Sequence, residues 1–371
     1  EILQSVDVIA EASFDELTAA IAKIDILGVE SRNEPFFLTA KNETGLAFRF
    51  FPSDPHSFFR QLLITTGSDE HLRQLDELLT EPQLPDFDSE EAIYKSVGLP
   101  YIQPELREGN NEITLAKNSA LPNLVSYADL RGTLHNHSTY SDGVNTLEEM
   151  ALYCRDELQL EYLGICDHSR AAVYAKGMNI ERVQEQWVEI DTLNANLAPF
   201  RIFKGIESDI LGDGSLDYPD EILAGFDFVV ASIHSNLKMD KERATDRLIK
   251  AIENPYTTIL GHPTGRLLLS RPGYPLDYQR IIDACAAHGV IIEINANPLR
   301  LDLDWHWQRY AIEKGVLLSI NPDAHRNSGF HDMQYGVHVA RKGGVPPHNC
   351  LNTFSVDAIA DYFNQRKRRI G

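Results

Sequence analysis

The sequence has no run of about 18 uncharged apolar residues, the length that a membrane-spanning helix requires. It also lacks a leader in which a charged segment precedes an apolar one. We therefore predict neither a membrane span nor a signal peptide, and we expect a protein of the cytoplasm. With 371 residues, the chain is long enough for two or three domains with buried cores.

Cysteine is scarce, with four residues at widely separated positions, Cys154, Cys166, Cys285 and Cys350. Sulfur-rich zinc sites need cysteines in short, regularly spaced pairs, and these four are not spaced in that way. The sequence therefore argues against such a site. It predicts buried, reduced thiols rather than disulfides.

Positive charge is also in short supply, because 34 basic residues stand against 55 acidic ones and the formal net charge is -21. An excess of this size repels a phosphate backbone at long range, so we expect weak non-specific binding to duplex nucleic acid. The one strong basic cluster is Arg366–Arg369. We interpret it as a helix end stabilised by the helix dipole, with a DNA contact as the alternative.

The segment around His135 carries the densest group of side chains that bind metals. A strand alternates its side chains with a period of two, so His135 and His137 project from one face and can bind the same ion. Asp142 follows in a Ser-Asp-Gly turn, which can fold its carboxylate back toward the end of the strand.

Short apolar runs that end in a polar residue recur along the rest of the chain, as expected for buried parallel strands whose last residues reach a rim. The polar residues at these ends are His168, Glu207, His234, His262, Glu293, Asp323 and His325. Because a parallel barrel brings the carboxyl ends of its strands to one face, we expect these groups to share one site. Glu293 is interpreted as a group that orients a ligating histidine rather than as a ligand.

Segments with helical apolar spacing alternate with these strands, at residues 146–156, 180–194, 241–254, 277–288, 305–314 and 356–367. Alternation of strands and helices over about 240 residues predicts an α/β barrel. Residues 80–89, which are rich in proline and acidic side chains, are predicted to form a loop upstream of it.

The types of ligand indicate two or three divalent ions. Imidazoles suit zinc, manganese or iron, and the accompanying carboxylates fit the same ions. Closely spaced divalent ions lower the pKa of bound water toward about 7 and favour hydrolysis of phosphoesters. Arg266 and Arg300 follow His262 and Glu293 in loops and are candidates for bidentate phosphate contacts, with surface salt bridges as the alternative.

Seven segments of the carboxyl-terminal part resemble the polymerase and histidinol phosphatase (PHP) superfamily. They are His-Asn-His-Ser-Thr-Tyr-Ser-Asp-Gly (135–143), Asp-His-Ser (167–169), Gly-Ile-Glu-Ser-Asp-Ile (205–210), Ser-Ile-His-Ser (232–235), Gly-His-Pro-Thr-Gly-Arg (261–266), Glu-Ile-Asn-Ala-Asn-Pro (293–298) and Asp-Ala-His (323–325). The most similar form is the PHP domain at the carboxyl end of bacterial family X DNA polymerases.

This resemblance implies a distorted seven-stranded, TIM-like barrel that binds three metals, with manganese expected to support activity. It also implies that the metals are held by His135, His137, Asp142, His168, Glu207, His234, His262, Asp323 and His325, which form the catalytic centre.

The first 130 residues resemble the same polymerase more weakly. Residues 1–52 correspond to a palm-like segment, residues 53–127 to a thumb-like region and linker, and residues 128–371 to the PHP phosphoesterase domain. The chain opens at Glu1 without a methionine, inside this palm-like segment, so we expect an amino-terminal portion to be absent. Ser5, Asp7 and Ala47 stand where the family has three metal-binding aspartates, which predicts an inactive polymerase site.

Three functions follow as hypotheses. The first is a DNA-repair nuclease that hydrolyses phosphodiesters at single-stranded or gapped DNA 3′ ends by a metal-activated hydroxide, as the resemblance implies. The second is a phosphomonoesterase for a small metabolite, of the histidinol phosphatase type. The third is a non-catalytic scaffold for DNA repair. The remnant of a polymerase favours the first, because a metabolite phosphatase has no use for it.

Overall fold

A computed structural model describes residues 2–33, 36–79 and 86–370. Of the loop predicted at residues 80–89, residues 80–85 lie outside the described residues, and residues 86–89 form neither helix nor strand. Contacts between residues divide the chain into two compact units, Glu1–Pro122 and Asn123–Gly371. Among the described helices, none combines the length and the apolar character that crossing a bilayer requires.

The first unit is a small α+β structure. Its sheet has the strand order β1-β4-β3-β2, in which β1 pairs with β4 in parallel and the other pairs are antiparallel. The elements are β1 (Ser5–Glu11), α1 (Phe14–Ile21), β2 (Gly28–Asn33), β3 (Phe37–Lys41), β4 (Ala47–Ser53), α2 (Phe58–Thr66), α3 (Asp69–Asp76), α4 (Glu90–Ser96) and α5 (Glu112–Lys117).

Two separate hydrophobic cores lie in this unit. One, built around Leu17, Leu38 and Phe50, packs α1 against the sheet. The other, around Leu63 and Tyr94, packs the helices that follow.

The second unit is built on a seven-stranded sheet in which every neighbouring pair is parallel and the strands follow one another in sequence order. Its elements are β5 (Gly132–Thr133), α6 (Leu147–Leu152), β6 (Tyr162–Ile165), α7 (Ile180–Leu197), β7 (Arg201–Asp209), α8 (Asp220–Leu223), β8 (Phe228–Ser232), α9 (Lys241–Glu253), β9 (Ile259–Leu260), α10 (Tyr278–His288), β10 (Ile291–Asn295), α11 (Trp305–Glu313), β11 (Leu318–Asn321), α12 (Met333–Lys342) and α13 (Val356–Ile370).

The first and last strands of this sheet meet at their carboxyl ends. Asn136 forms a parallel bridge with Ala324, and the backbone N–H of His137 donates to the carbonyl of Ala324 at 2.8 Å. The sheet is therefore nearly closed into a barrel, which confirms the predicted fold class. The closing contact also brings the metal-type residues after β5 next to those after β11.

Aromatic side chains fill the interior of the barrel. Phe228 points inward so closely that a Cβ on Gly164 would lie 2.7 Å from its ring, which explains a glycine inside β6. Phe363 of α13 stacks on Phe228 with ring centroids 5.2 Å apart and packs edge-on against Phe203. Helix α13 therefore closes the barrel from the end opposite to the carboxyl ends of the strands.

The basic cluster Arg366–Arg369 ends this helix. Arg366 donates to the backbone carbonyls of Thr257 and Gly289, and Lys367 lies 3.4 Å from a carboxylate oxygen of Asp227. Two of the four basic side chains thus attach the helix to the barrel, as expected for a structural role.

Candidate metal centre

The strands deliver the predicted ligands to one buried pocket at their carboxyl ends. His135 and His137 follow β5 and are both fully buried, with ring centroids 5.2 Å apart. Asn136, between them, faces away and donates to the carbonyl of Gly164 at 3.0 Å. The period of two along this segment therefore aims both imidazoles into the pocket, as the sequence predicts.

The carboxylate of Glu207, near the end of β7, is the centre of the site. Its two oxygens lie 2.9–3.6 Å from nitrogens of five imidazoles, those of His135, His137, His168, His234 and His262. Glu207 is 1% exposed, so these contacts form away from bulk water. This one carboxylate is thus close enough to several imidazoles to contact more than one cation.

The other three of the nine predicted residues, Asp142, Asp323 and His325, lie beside this group. Asp323 lies 3.1 Å from His137, and Asp142 lies 3.3 Å from His325 and 3.6 Å from His168. Asp323 has a φ of 53°, a left-handed conformation that costs an aspartate energy and is typical of functional sites.

All nine predicted residues are brought together. They form four overlapping groups within which the ligand atoms lie no more than 4.8 Å apart: His137, Asp142, His168 and His325; His135, His137 and Asp323; His135, Glu207 and His262; and His168, Glu207 and His234.

Buried polar atoms in this pocket lack hydrogen-bond partners among the described residues. They are Nε2 of His135, both ring nitrogens of His137, Nδ1 of His168, Oε2 of Glu207 and Nδ1 of His262. Leaving a buried polar atom unsatisfied costs about 1–3 kcal/mol, and several are clustered here. Divalent cations would satisfy them, and nitrogen and oxygen donors of these types fit zinc, manganese or iron.

Two buried carboxylates orient histidines from behind. Glu293 accepts a hydrogen bond from Nδ1 of His135 at 2.7 Å, and Asp209 accepts one from Nδ1 of His234 at the same distance. Each leaves Nε2 of its histidine facing Glu207. Such partners fix the tautomer and the ring orientation of a metal ligand. Glu293 therefore has the orienting contact that the sequence predicts.

Asp209 and Asp167 were not predicted as site residues. Asp209 lies two residues after Glu207 on the same strand face, and this period of two is the signal that could have identified it. Asp167 accepts from the backbone and side chain of Ser138 and from the side chains of Ser141 and Gln186. It thereby fixes the loop that leads to Asp142.

Arg300 and Arg266 have different surroundings. Nε of Arg300 lies 3.4 Å from a carboxylate oxygen of Asp323, so its guanidinium borders the pocket. Arg266 instead pairs with Asp304 at 3.0 Å and donates to the backbone carbonyls of Arg300 and Leu301. Its guanidinium is engaged in holding the loop that carries Arg300.

Burial and the charges of neighbouring side chains set the protonation states of the residues in the pocket. Burial would raise the pKa of Glu207, but the imidazoles of His234, His135 and His168 outweigh it and hold that pKa well below its usual range. Conversely, burial lowers the pKa of His137 to about 3, helped by His168 and His325. The centre therefore combines an ionised shared carboxylate with at least one imidazole that is neutral and free to bind a cation.

A parallel barrel whose strand ends converge on a shared buried carboxylate and a set of imidazoles is typical of metal-dependent hydrolases. Comparisons with known proteins agree with this class. The chain is 38% identical over 348 residues to a protein of Bacillus subtilis named DNA polymerase/3′-5′ exonuclease PolX, a match that covers 88% of the chain and 59% of that relative. It is also 33% identical over 180 residues to a probable phosphatase of Caldanaerobacter subterraneus subsp. tengcongensis, covering 46% of the chain and 68% of the phosphatase.

The chain belongs to the PHP superfamily. It spans about 59% of the length of the Bacillus relative. No protein-family model matches the chain. Among solved structures, a histidinol phosphate phosphatase from Lactococcus lactis, complexed with zinc, L-histidinol and phosphate, is 17% identical with a TM-score of 0.44, over 58% of this chain and 94% of that one.

Metal uptake is expected to release protons near neutral pH. Burial lowers the pKa of His234, but Glu207 and Asp209 outweigh it and raise that pKa to about 10. Asp142 and Asp323 likewise overcome burial and raise the pKa of His325 to about 9. Both imidazoles are therefore protonated below about pH 9 in the metal-free protein, and a cation must displace these protons, so affinity falls as the pH falls.

Calorimetric titration with Mn²⁺ in two buffers of different ionisation enthalpy measures this release directly. The expected result is a binding enthalpy that depends on the buffer and an affinity that rises between pH 6 and pH 8. An enthalpy and an affinity that are the same in both buffers and at both pH values would contradict it.

Proposed function

We propose that this protein hydrolyses phosphodiesters at DNA 3′ ends, with the nine converging residues as its catalytic centre. The observation that carries the proposal is the extent of the match to the Bacillus relative, which bears a 3′-5′ exonuclease name. That match covers 88% of the chain, more than the barrel unit alone. A phosphatase acting on a small metabolite needs only the barrel.

The chain's own residues divide into ligands, orienting groups and a substrate contact. The nine residues would hold two or three divalent ions, which supply an activated nucleophile and charge stabilisation when bound. Glu293 and Asp209 keep the imidazoles of His135 and His234 oriented. Arg300, beside Asp323, is placed to donate to a substrate phosphate. We assign Arg266 the role of positioning the Arg300 loop.

We propose that the polymerase-like sheet is inactive, because Ser5 and Ala47 stand at two of the three positions where the family resemblance expects metal-binding aspartates. Ser5 pairs with Ala47 across β1 and β4, and Asp7 pairs with Arg49. Arg49 holds both oxygens of Asp7, at 2.7 and 2.6 Å. The one aspartate at these three positions is therefore already neutralised by an arginine, whereas two-metal transfer needs free carboxylates beside the primer end.

A panel of substrates tests the proposed activity. With Mn²⁺, we expect the protein to shorten a labelled single strand from its 3′ end, to leave histidinol phosphate largely intact, and to extend no primer. The double substitution His135→Ala with His137→Ala should abolish shortening, because it removes two ligands of the centre. His338→Ala with His348→Ala, two exposed histidines of the same unit, is the matched control and should retain it.

Preferential hydrolysis of histidinol phosphate would favour the metabolite phosphatase instead. Shortening that persists in the double variant would place the active site elsewhere, and robust primer extension would refute the inactive polymerase.

Arg300 is expected to act on substrate binding. A hydrogen bond to a charged group is worth about 1.5–3 kcal/mol, so Arg300→Ala should raise the KM for oligonucleotides about ten-fold or more. Arg300→Lys should recover part of this loss because it keeps the charge but not the bidentate geometry. Steady-state kinetics provides the measurement, and an unchanged KM in Arg300→Ala would exclude the contact.

A further inference from the structure

Exposed apolar side chains are concentrated around the mouth of the barrel. Among the described residues of the second unit, eight large hydrophobic side chains are exposed: Tyr127, Val144, Val173, Tyr174, Val188, Leu269, Leu299 and Tyr335. Five of these, Val144, Val173, Tyr174, Leu269 and Leu299, lie in the loops that follow β5, β6, β9 and β10. These loops extend from the strand ends that carry the metal-type residues, and we call the five side chains the apolar rim.

Backbone and ring contacts attach the apolar rim to the metal centre. The N–H of Val144 donates to the carbonyl of His325 at 2.9 Å. The loops of Leu269 and Leu299 are joined by a hydrogen bond from the N–H of Leu268 to the carbonyl of Leu299, at 2.6 Å.

Tyr174 comes nearest to the ligands. Its ring centroid lies 6.1 Å from that of His168 and 6.4 Å from that of His234. Even so, 70% of Tyr174 and 81% of the neighbouring Val173 are exposed.

The loop that carries Val173 and Tyr174 is held firmly on both sides. The N–H of Met178 donates to the carbonyl of His168 at 2.8 Å, and the N–H of Ala171 donates to the carboxylate of Asp217 at 2.7 Å. A Cβ on Gly177 would overlap the carbonyl oxygen of Ser169, so the loop folds back tightly on itself. The exposure of Val173 and Tyr174 is therefore imposed by an anchored turn.

We propose that Val173 and Tyr174 form a stacking platform for the terminal nucleobase of a DNA 3′ end whose phosphate occupies the metal centre. This inference rests on the proposed function and names the part of the substrate that the site recognises besides the phosphate. Bases of every type stack on an exposed aromatic ring, which suits an enzyme that removes nucleotides regardless of sequence.

Charge supports a base as the occupant. With a net charge of -21, the protein gains little from long-range attraction to a phosphate backbone, so affinity must come from short-range contacts near the site. A tyrosine phenol is uncharged at neutral pH, as stacking beside a phosphate requires.

Two substrates and four proteins test the platform. One oligonucleotide has a normal 3′-terminal nucleotide, and the other carries a tetrahydrofuran in place of the terminal base. Tyr174→Ala should lower kcat/KM about ten-fold on the normal end, mainly through KM, and much less on the abasic end. Tyr174→Phe keeps the ring and should keep most of the activity. Tyr127→Ala, at an exposed tyrosine that precedes β5 and is not part of the apolar rim, is the matched control and should act like the wild type.

Equal losses on the two substrates in Tyr174→Ala would overturn the platform while leaving the nuclease function intact. A loss in Tyr174→Phe as large as in Tyr174→Ala would also overturn it, because the ring would then not be the group that matters. If the wild type hydrolyses bis(p-nitrophenyl) phosphate with Mn²⁺ but leaves both oligonucleotides whole, the proposed function itself fails, and the platform fails with it.

Discussion

The second unit depends on one constraint, the sharing of the buried carboxylate of Glu207 among five imidazoles. A carboxylate and histidines this close, with several ring nitrogens left without hydrogen bonds, are costly in a buried pocket. Bound cations would offset this cost, because unsatisfied nitrogen and oxygen atoms of these types can serve as metal ligands. The side chains of the pocket thus fit the binding of cations better than they satisfy one another through hydrogen bonds.

The fold makes this arrangement possible through its parallel topology. Seven strands in sequence order bring seven carboxyl ends to one face, and the bridge between Asn136 and Ala324 sets the first strand beside the last. Helix α13 fills the opposite end with Phe363, stacked on Phe228. Behind the predicted ligands, Asp209 and Glu293 orient the histidines, so the site is supported by strands while its rim is made of loops.

Much of this was predictable from the sequence because it follows from local periodicity. Helices predicted at residues 180–194 and 241–254 are found at Ile180–Leu197 and Lys241–Glu253, and the period of two correctly paired His135 with His137. Contacts between segments that are distant in the chain could not be predicted from this periodicity. Arg266 and Arg300 look alike in sequence, but only the folded loop shows that the first is engaged by Asp304 and backbone carbonyls. Likewise, the pairing of Asp7 with Arg49 depends on the register of β1 and β4.

The most direct test of the central claim is the metal content of the purified protein, measured by inductively coupled plasma mass spectrometry for the wild type and for Glu207→Gln. Glutamine has nearly the same shape as glutamate but no negative charge, and Asp213→Asn, at an exposed loop position, is the control. The account predicts at least two divalent ions per chain in the wild type and the control, and a loss of most of them in Glu207→Gln. A full complement of metal in Glu207→Gln would contradict the shared carboxylate.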